Sequence, residues 1–133
     1  MTDTTPAIEG EFICVVCPNG CAIDAEFIPG DSPKLIAFSG AKCPRGEKWL
    51  RQEIESPMRT IATSVLVRDG DYICASVRTK SPIPLAKVRD VMNSLRGMEI
   101  DAPVRVGQTI IVGPAGTDTE IIATRDVAAI MPI

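Results

Sequence analysis

The chain has no histidine, and its aromatic residues are scarce: one Trp, one Tyr and three Phe among 133 residues. Without histidine there is no imidazole to serve as a general base or a nitrogen ligand to metal, and no nucleophile–base pair stands out. A core must therefore be built from Val, Ile, Leu, Ala and Met, which the 45% hydrophobic content allows. Nor is there a basic excess. The formal charge is −3, which argues against general nucleic-acid binding, because that requires a basic face. No run approaches the roughly 20 apolar residues needed to cross a bilayer. The opening MTDTTPAIEGEF lacks the charged and apolar regions of a secretory signal. A cytoplasmic address without direct membrane insertion is the expectation. In that compartment thiols stay reduced, and a cysteine framework more often holds metal than disulfides.

What is present is cysteine. Of five, four stand as Cys14-x2-Cys17-x3-Cys21, then Cys43 after residues 22–42, a gap of 21. Three sulfurs can converge from one tight loop, where Gly20 permits close backbone approach and positive φ. Cys43 then closes the site from a distance, followed directly by Pro44, as in ferredoxin-type runs. Zinc ribbons present two paired Cys-x2-Cys knuckles instead. The pattern points to a [4Fe–4S] cluster, with Zn2+ the alternative because thiolate suits both. Lys42 and Arg45, with Lys48 further on, lie beside the last ligand and can offset the cluster's negative charge. A thioredoxin-like exchange site at Cys14-Val15-Val16-Cys17 is the third reading, disfavoured by two further cysteines at ligand spacing. Cys74 is left over and reads as a small buried hydrophobe in mid-strand. Asp24 and Glu26 share one strand face and read as a solvated surface.

The fold class expected is α+β: a small cysteine-ligated metal lobe of β-hairpin plus helix, then a small α/β lobe. Residues 1–10 read as a flexible N-terminal tail, 11–57 as the four-cysteine lobe and 58–133 as an α+β docking lobe. In the first lobe, residues 22–28 and 34–38 alternate as strands around the turn Pro29-Gly30-Asp31-Ser32-Pro33. Residues 45–55 are helical, ended by Ser56-Pro57. In the second, residues 61–67 and 72–77 flank an Asp69-Gly70 hairpin signal. Ser81-Pro82 is expected to open a second helix running to Gly97. Residues 102–127 read as β-like, with Gly113-Pro114-Ala115-Gly116 a turn rather than a phosphate loop.

The strings ICVVCPNGC and AKCPRGEKWLRQEIESPMRT, with the later VRTKSPIP, PVRVGQTII and IIATRDV, resemble the CxxC-motif-containing proteins, a domain family of unknown function. The resemblance runs from about Phe12 to Val127. It implies a small accessory subunit, not catalytic alone, of an oxidoreductase complex. Its partners would be a glycerol-3-phosphate-dehydrogenase-like flavoprotein and an NAD-linked FAD oxidoreductase. A narrower likeness, Cys14 to Arg59, is to the iron–sulfur lobe that opens molybdopterin oxidoreductases. There a lysine stands where this chain has Arg45, and the hundreds of residues that would bind a pterin are missing here. The likeness therefore implies the cluster and not molybdenum. The expected function is an electron-transfer subunit carrying one [4Fe–4S] cluster on Cys14, Cys17, Cys21 and Cys43, relaying electrons to or from a flavin. A zinc-stabilised interaction module without a redox role is the alternative.

Overall fold

The computed structural model describes residues 5–130. It is α+β, as the mixed periodicities imply, and it divides into two compact units at Pro57/Met58.

The first unit is a three-stranded antiparallel sheet, β1 (Ile8–Ile13), β2 (Ala22–Ile28) and β3 (Lys34–Ser39), in that spatial order, with helix α1 (Pro44–Glu55). The strands follow from alternation. In β2, Ile23 and Ala25 are buried while Asp24 and Glu26 are exposed. In α1, Gly46, Leu50 and Ile54 recur every fourth residue and form the buried stripe. Ile23 and Leu50 are completely buried, packed with Ala25, Leu35, Ile54 and the rings of Phe12, Phe27, Phe38 and Trp49. Glu55 accepts a hydrogen bond from the Leu35 amide (3.2 Å), tying the end of α1 to β3. Ser56 donates its amide to Gln52, and Pro57 prevents continuation.

Strand β1 corrects the expected tail. Residues 8–10 belong to a paired strand, and residues 1–4 lie outside the described residues. The reason is the period-2 pattern Ile8-Glu9-Gly10-Glu11-Phe12, which turn-like Pro6 and Gly10 obscure. Gly10 opposes Ala25, and the Phe12 and Phe27 rings close over it, meeting edge-on at 5.8 Å. The same register sets Glu9 opposite Glu26 and Glu11 opposite Asp24 on the solvent face. Like charges directly opposite one another destabilise a sheet. Glu26→Lys is therefore expected to stabilise the protein by about 0.2–1 kcal/mol. Urea denaturation at low and high salt checks it: the gain should shrink with salt, and a loss of stability would contradict the register.

The second unit holds β4 (Met58–Arg59), β5 (Ala62–Arg68), β6 (Cys74–Thr79), β7 (Ile83–Pro84), a 3-10 turn at Leu85–Lys87, α2 (Val88–Leu95), β8 (Glu99–Asp101), β9 (Thr109–Val112), a 3-10 turn at Pro114–Gly116 and β10 (Glu120–Ala123). Five strands form one sheet in the order β8-β5-β6-β10-β9, with β4 and β7 as a separate two-stranded ladder. All pairings are antiparallel except β5 with β8. Asp69 takes positive φ in the hairpin turn. Val65, Val77, Ile83, Val91, Leu95 and Ile121 form one core cluster, and Val67, Ala75, Val104, Ala123 and Val127 another.

Two expectations change here. The second helix does not open at Ser81-Pro82: Ile83 and Pro84 pair with Arg59 and Met58, and α2 proper starts at Val88. Ser81 is occupied elsewhere, its amide and hydroxyl both meeting Thr119 Oγ1 at 3.0 and 2.9 Å. Strand β8 went unread because Glu99-Ile100-Asp101 is too short to show a period. No helix among the described residues is long and apolar enough to cross a membrane.

Candidate functional site

The cysteines of the quartet sit at the junctions of the first unit's elements. Cys14 follows β1 directly, and its amide donates to the Cys21 carbonyl (2.9 Å), closing the loop that carries Cys17. Gly20 takes φ +59 just before that closure, a conformation that a side chain would strain. Cys14 is buried in the unit's core, and Cys21 packs partly against it. Cys17 stands between them, partly exposed.

Cys43 arrives from the other side, where β3 has returned the chain. It is the N-cap of α1, with extended backbone and Pro44 in the first turn. Its carbonyl accepts the amide of Gly46 (3.1 Å). Its thiol is held below the ordinary thiol range, first by the Gly46 amide. Slight burial opposes this, and the Arg45 amide, guanidinium hydrogen bond and charge add to it. These are the first-turn amides and positive end of a helix N-terminus acting on sulfur. In metal-free protein Cys43 is thus a thiolate at lower pH than an ordinary cysteine. Its carbamidomethylation rate, followed by site-resolved mass spectrometry, should rise at lower pH than that of blocked free cysteine. A rise at or above the free-cysteine range would contradict the capping geometry.

Gly46 joins the two halves of the site. A Cβ built on it would lie 3.7 Å from Cys14 Sγ, while its amide serves Cys43. The first turn of α1 is therefore the common neighbour of both sulfurs. Lys42 and Arg45 flank Cys43, both exposed, and Arg45 alone reaches the thiol. Among the described residues no three Cys, Asp or Glu side chains converge closely enough to hold a metal ion, and all five cysteines are free thiols. The structure thus brings Cys14 and Cys43 to one residue and Cys14 and Cys21 to one loop closure. Cys17 is joined to neither by a hydrogen bond. Four thiols in one unit, one already biased to thiolate, remain the donor set that zinc or an iron–sulfur centre requires.

Cys74 differs from its reading. It opens β6 rather than lying within it, and is only half-buried, opposite the half-exposed Leu66. Asp24 and Glu26 are solvated, as read. Sequence reasoning missed their cross-strand partners Glu9 and Glu11, whose alternation with Ile8 and Phe12 was the available signal. A shallow hollow of about 590 Å³ lies over these four carboxylates rather than at the cysteines.

The model of one family, described as "Protein of unknown function (DUF1667)", matches residues 44–125. The chain belongs to the DUF1667 family. The match begins at Pro44, directly after the last cysteine of the quartet, so it is shorter than the resemblance read from Phe12 and contains none of the four. It covers α1 and most of the second unit. No curated protein matches this DUF1667 chain. Among solved structures, the NMR structure of Clostridium perfringens protein CPE0013 is similar to it, with 21% identity and a TM-score of 0.51. The likeness covers 57% of this chain and 91% of that one, and at this identity it speaks for the fold alone.

Proposed function

We propose that this protein is a cytoplasmic electron-transfer subunit whose Cys14, Cys17, Cys21 and Cys43 hold one [4Fe–4S] cluster. It would relay single electrons to or from the flavin of a partner dehydrogenase, for example one of the glycerol-3-phosphate type, within an oxidoreductase complex that includes an NAD-linked FAD oxidoreductase. The single observation that supports this most is Cys43: it caps α1 with its thiol held below the ordinary range, beside a glycine whose built Cβ would lie 3.7 Å from Cys14 Sγ. A ligand needs the thiolate, and the Gly46 amide and Arg45 lower the proton affinity that metal has to overcome at Cys43. When bound, the cluster supplies reversible one-electron chemistry at a potential set by its surroundings.

The chain's own residues supply ligation and tuning. The Gly46 and Arg45 amides donate toward the Cys43 sulfur, and such donors raise a cluster's potential. The charges of Lys42 and Arg45 work in the same direction. Catalysis on an organic substrate is left to the flavoprotein.

The zinc-stabilised module is favoured by a different observation. Cys14 is buried among Ile23, Leu50 and Ile54, where a held metal adds directly to folding. Anaerobic purification separates the two. Brown protein with about four irons per chain, acid-labile sulfide and absorption bleached by dithionite supports the cluster. Colourless protein carrying one zinc would replace it with the module.

A further inference from the structure

The first unit is electrically two-sided. Glu9, Glu11, Asp24 and Glu26 occupy the solvent face of its sheet. Four of the unit's five cations, Lys42, Arg45, Lys48 and Arg51, fall in the ten residues from Lys42 to Arg51. Arg51 is engaged with Glu55 (3.5 Å). Arg45 and Lys48, three residues apart, share the outer ridge of α1 opposite its buried Gly46–Leu50–Ile54 stripe. Among the described residues neither Lys42 nor Lys48 has a carboxylate partner. The cysteine loop, held near the same first turn by Cys14, carries three uncovered apolar side chains: Ile13 (50% exposed), Val15 (72%) and Val16 (40%).

We propose that Lys42, Arg45 and Lys48, with the apolar tip Ile13/Val15/Val16, form the contact surface for a redox partner whose own site is rimmed by carboxylates. The inference deepens the electron-transfer reading and rests on it for the partner's class. Charge complementarity decides the occupant. With a net charge of −3 the chain as a whole repels an acidic protein. Lys42 and Arg45 adjoin Cys43 in the chain, so an acidic partner that they attract meets the last cysteine. Such a field orients encounter and raises association rates by 10–1,000-fold in steered systems. The transfer itself makes and breaks no bond: one electron leaves the reduced protein and the partner's flavin takes it up.

Flavodoxin, an acidic flavoprotein, and cytochrome c, a basic haem protein, serve as probes, immobilised for biolayer interferometry across a salt series. Three proteins are compared: the native chain, Lys42→Glu/Lys48→Glu, and Lys34→Glu/Lys87→Glu. The two variants carry the same charge change, the second at exposed lysines outside the Lys42–Arg51 stretch of the chain. The native chain should bind flavodoxin with an affinity that falls with salt. The ridge variant should bind it at least about tenfold more weakly and cytochrome c more tightly, while the Lys34→Glu/Lys87→Glu variant stays within about twofold of native. Equal loss in both variants overturns the proposal, since net charge alone would then explain binding. Absence of flavodoxin binding at low salt overturns it too. So does a salt-sensitive dimer of the native chain abolished by both Lys42→Glu/Lys48→Glu and Glu9→Gln/Glu26→Gln, which would make the occupant a second copy. Lys48→Glu alone, remote from the ligand itself, repeats the test if the double variant loses metal. Binding that follows the ridge while dithionite-reduced protein passes no electron to flavodoxin leaves the surface standing and removes the electron-transfer reading.

Discussion

Cys43→Ala protein, purified without oxygen, is expected to be colourless, its iron falling from about four per chain to less than about one. The position is chosen for its isolation. Cys14, Cys17 and Cys21 share one loop and one another's neighbourhood, whereas Cys43 reaches the site only through the β2–β3 excursion. No other thiol in the unit can take its place; Cys74 belongs to the second unit. Alanine should cost no more than the loss of a helix cap, about 0.5–2 kcal/mol, because Cys43 is only partly buried and its backbone carbonyl still accepts the Gly46 amide. Far-UV circular dichroism should therefore remain near native while visible absorption is lost. Cys74→Ala is the matched control, expected to keep full iron and sulfide. Cys14→Ala differs again: it should lose iron and stability together, since Cys14 is part of the core. Unchanged iron in Cys43→Ala would remove it from the ligand set and with it the four-thiolate reading.

The second large effect is expected at Gly40, which ends β3 and hands the chain to Cys43. Its φ is +97, and a Cβ there would lie 2.5 Å from the carbonyl oxygen of Ala22, a backbone atom that cannot swing away. Ala22 is the first residue of β2, so any relief must come from moving a sheet edge. Gly40→Ala is expected to cost about 3 kcal/mol or more, combining left-handed strain with the steric conflict. Gly30→Ala isolates the two causes. Gly30 also has positive φ (+126) but nothing within 4 Å of a built Cβ, so only strain applies, at about 1–2 kcal/mol. Chemical denaturation of both variants gives the comparison. Equal losses would show that the approach of Gly40 to Ala22 is not a constraint. Because residue 40 lies three positions before Cys43, the same variant should also bind metal poorly, through displacement of a ligand rather than its removal.

Much of the architecture was readable wherever one residue type left no choice. Strands β2 and β3, the turn between them and the span of α1 follow from alternation, from Pro29-Gly30 and Ser56-Pro57, and from the helical spacing of Trp49, Leu50 and Ile54. The hairpin at Asp69-Gly70 was equally plain, because positive φ is cheap there. Elements that exist only through their partners were not readable. Strand β8 is three residues held by β5, β7 is two residues held by β4, and both borrow their stability from a ladder rather than from propensity. Strand β1 hid behind Pro6 and Gly10, and its reality depends on Phe12 and Phe27 covering the glycine. Ser81 looked like a helix cap, yet its hydroxyl found Thr119, which is 38 residues away.

The same division runs through the candidate site. Chemistry was fixed by composition and spacing: with no histidine and four cysteines so arranged, any metal held by that quartet is held by sulfur. Neighbourhood was not, because it arises from chain segments far apart. That Cys14 is buried while Cys17 stays accessible depends on how β1 and α1 pack. That the Cys43 thiol lies below the ordinary range depends on the helix it caps, and that Gly46 lies near both Cys43 and Cys14 depends on the fold returning residue 43 toward residue 14. Local residue identity determines which bonds are chemically open to a side chain. Only packing, which trades those options against buried area and satisfied hydrogen bonds across the whole unit, decides which groups come to face one another.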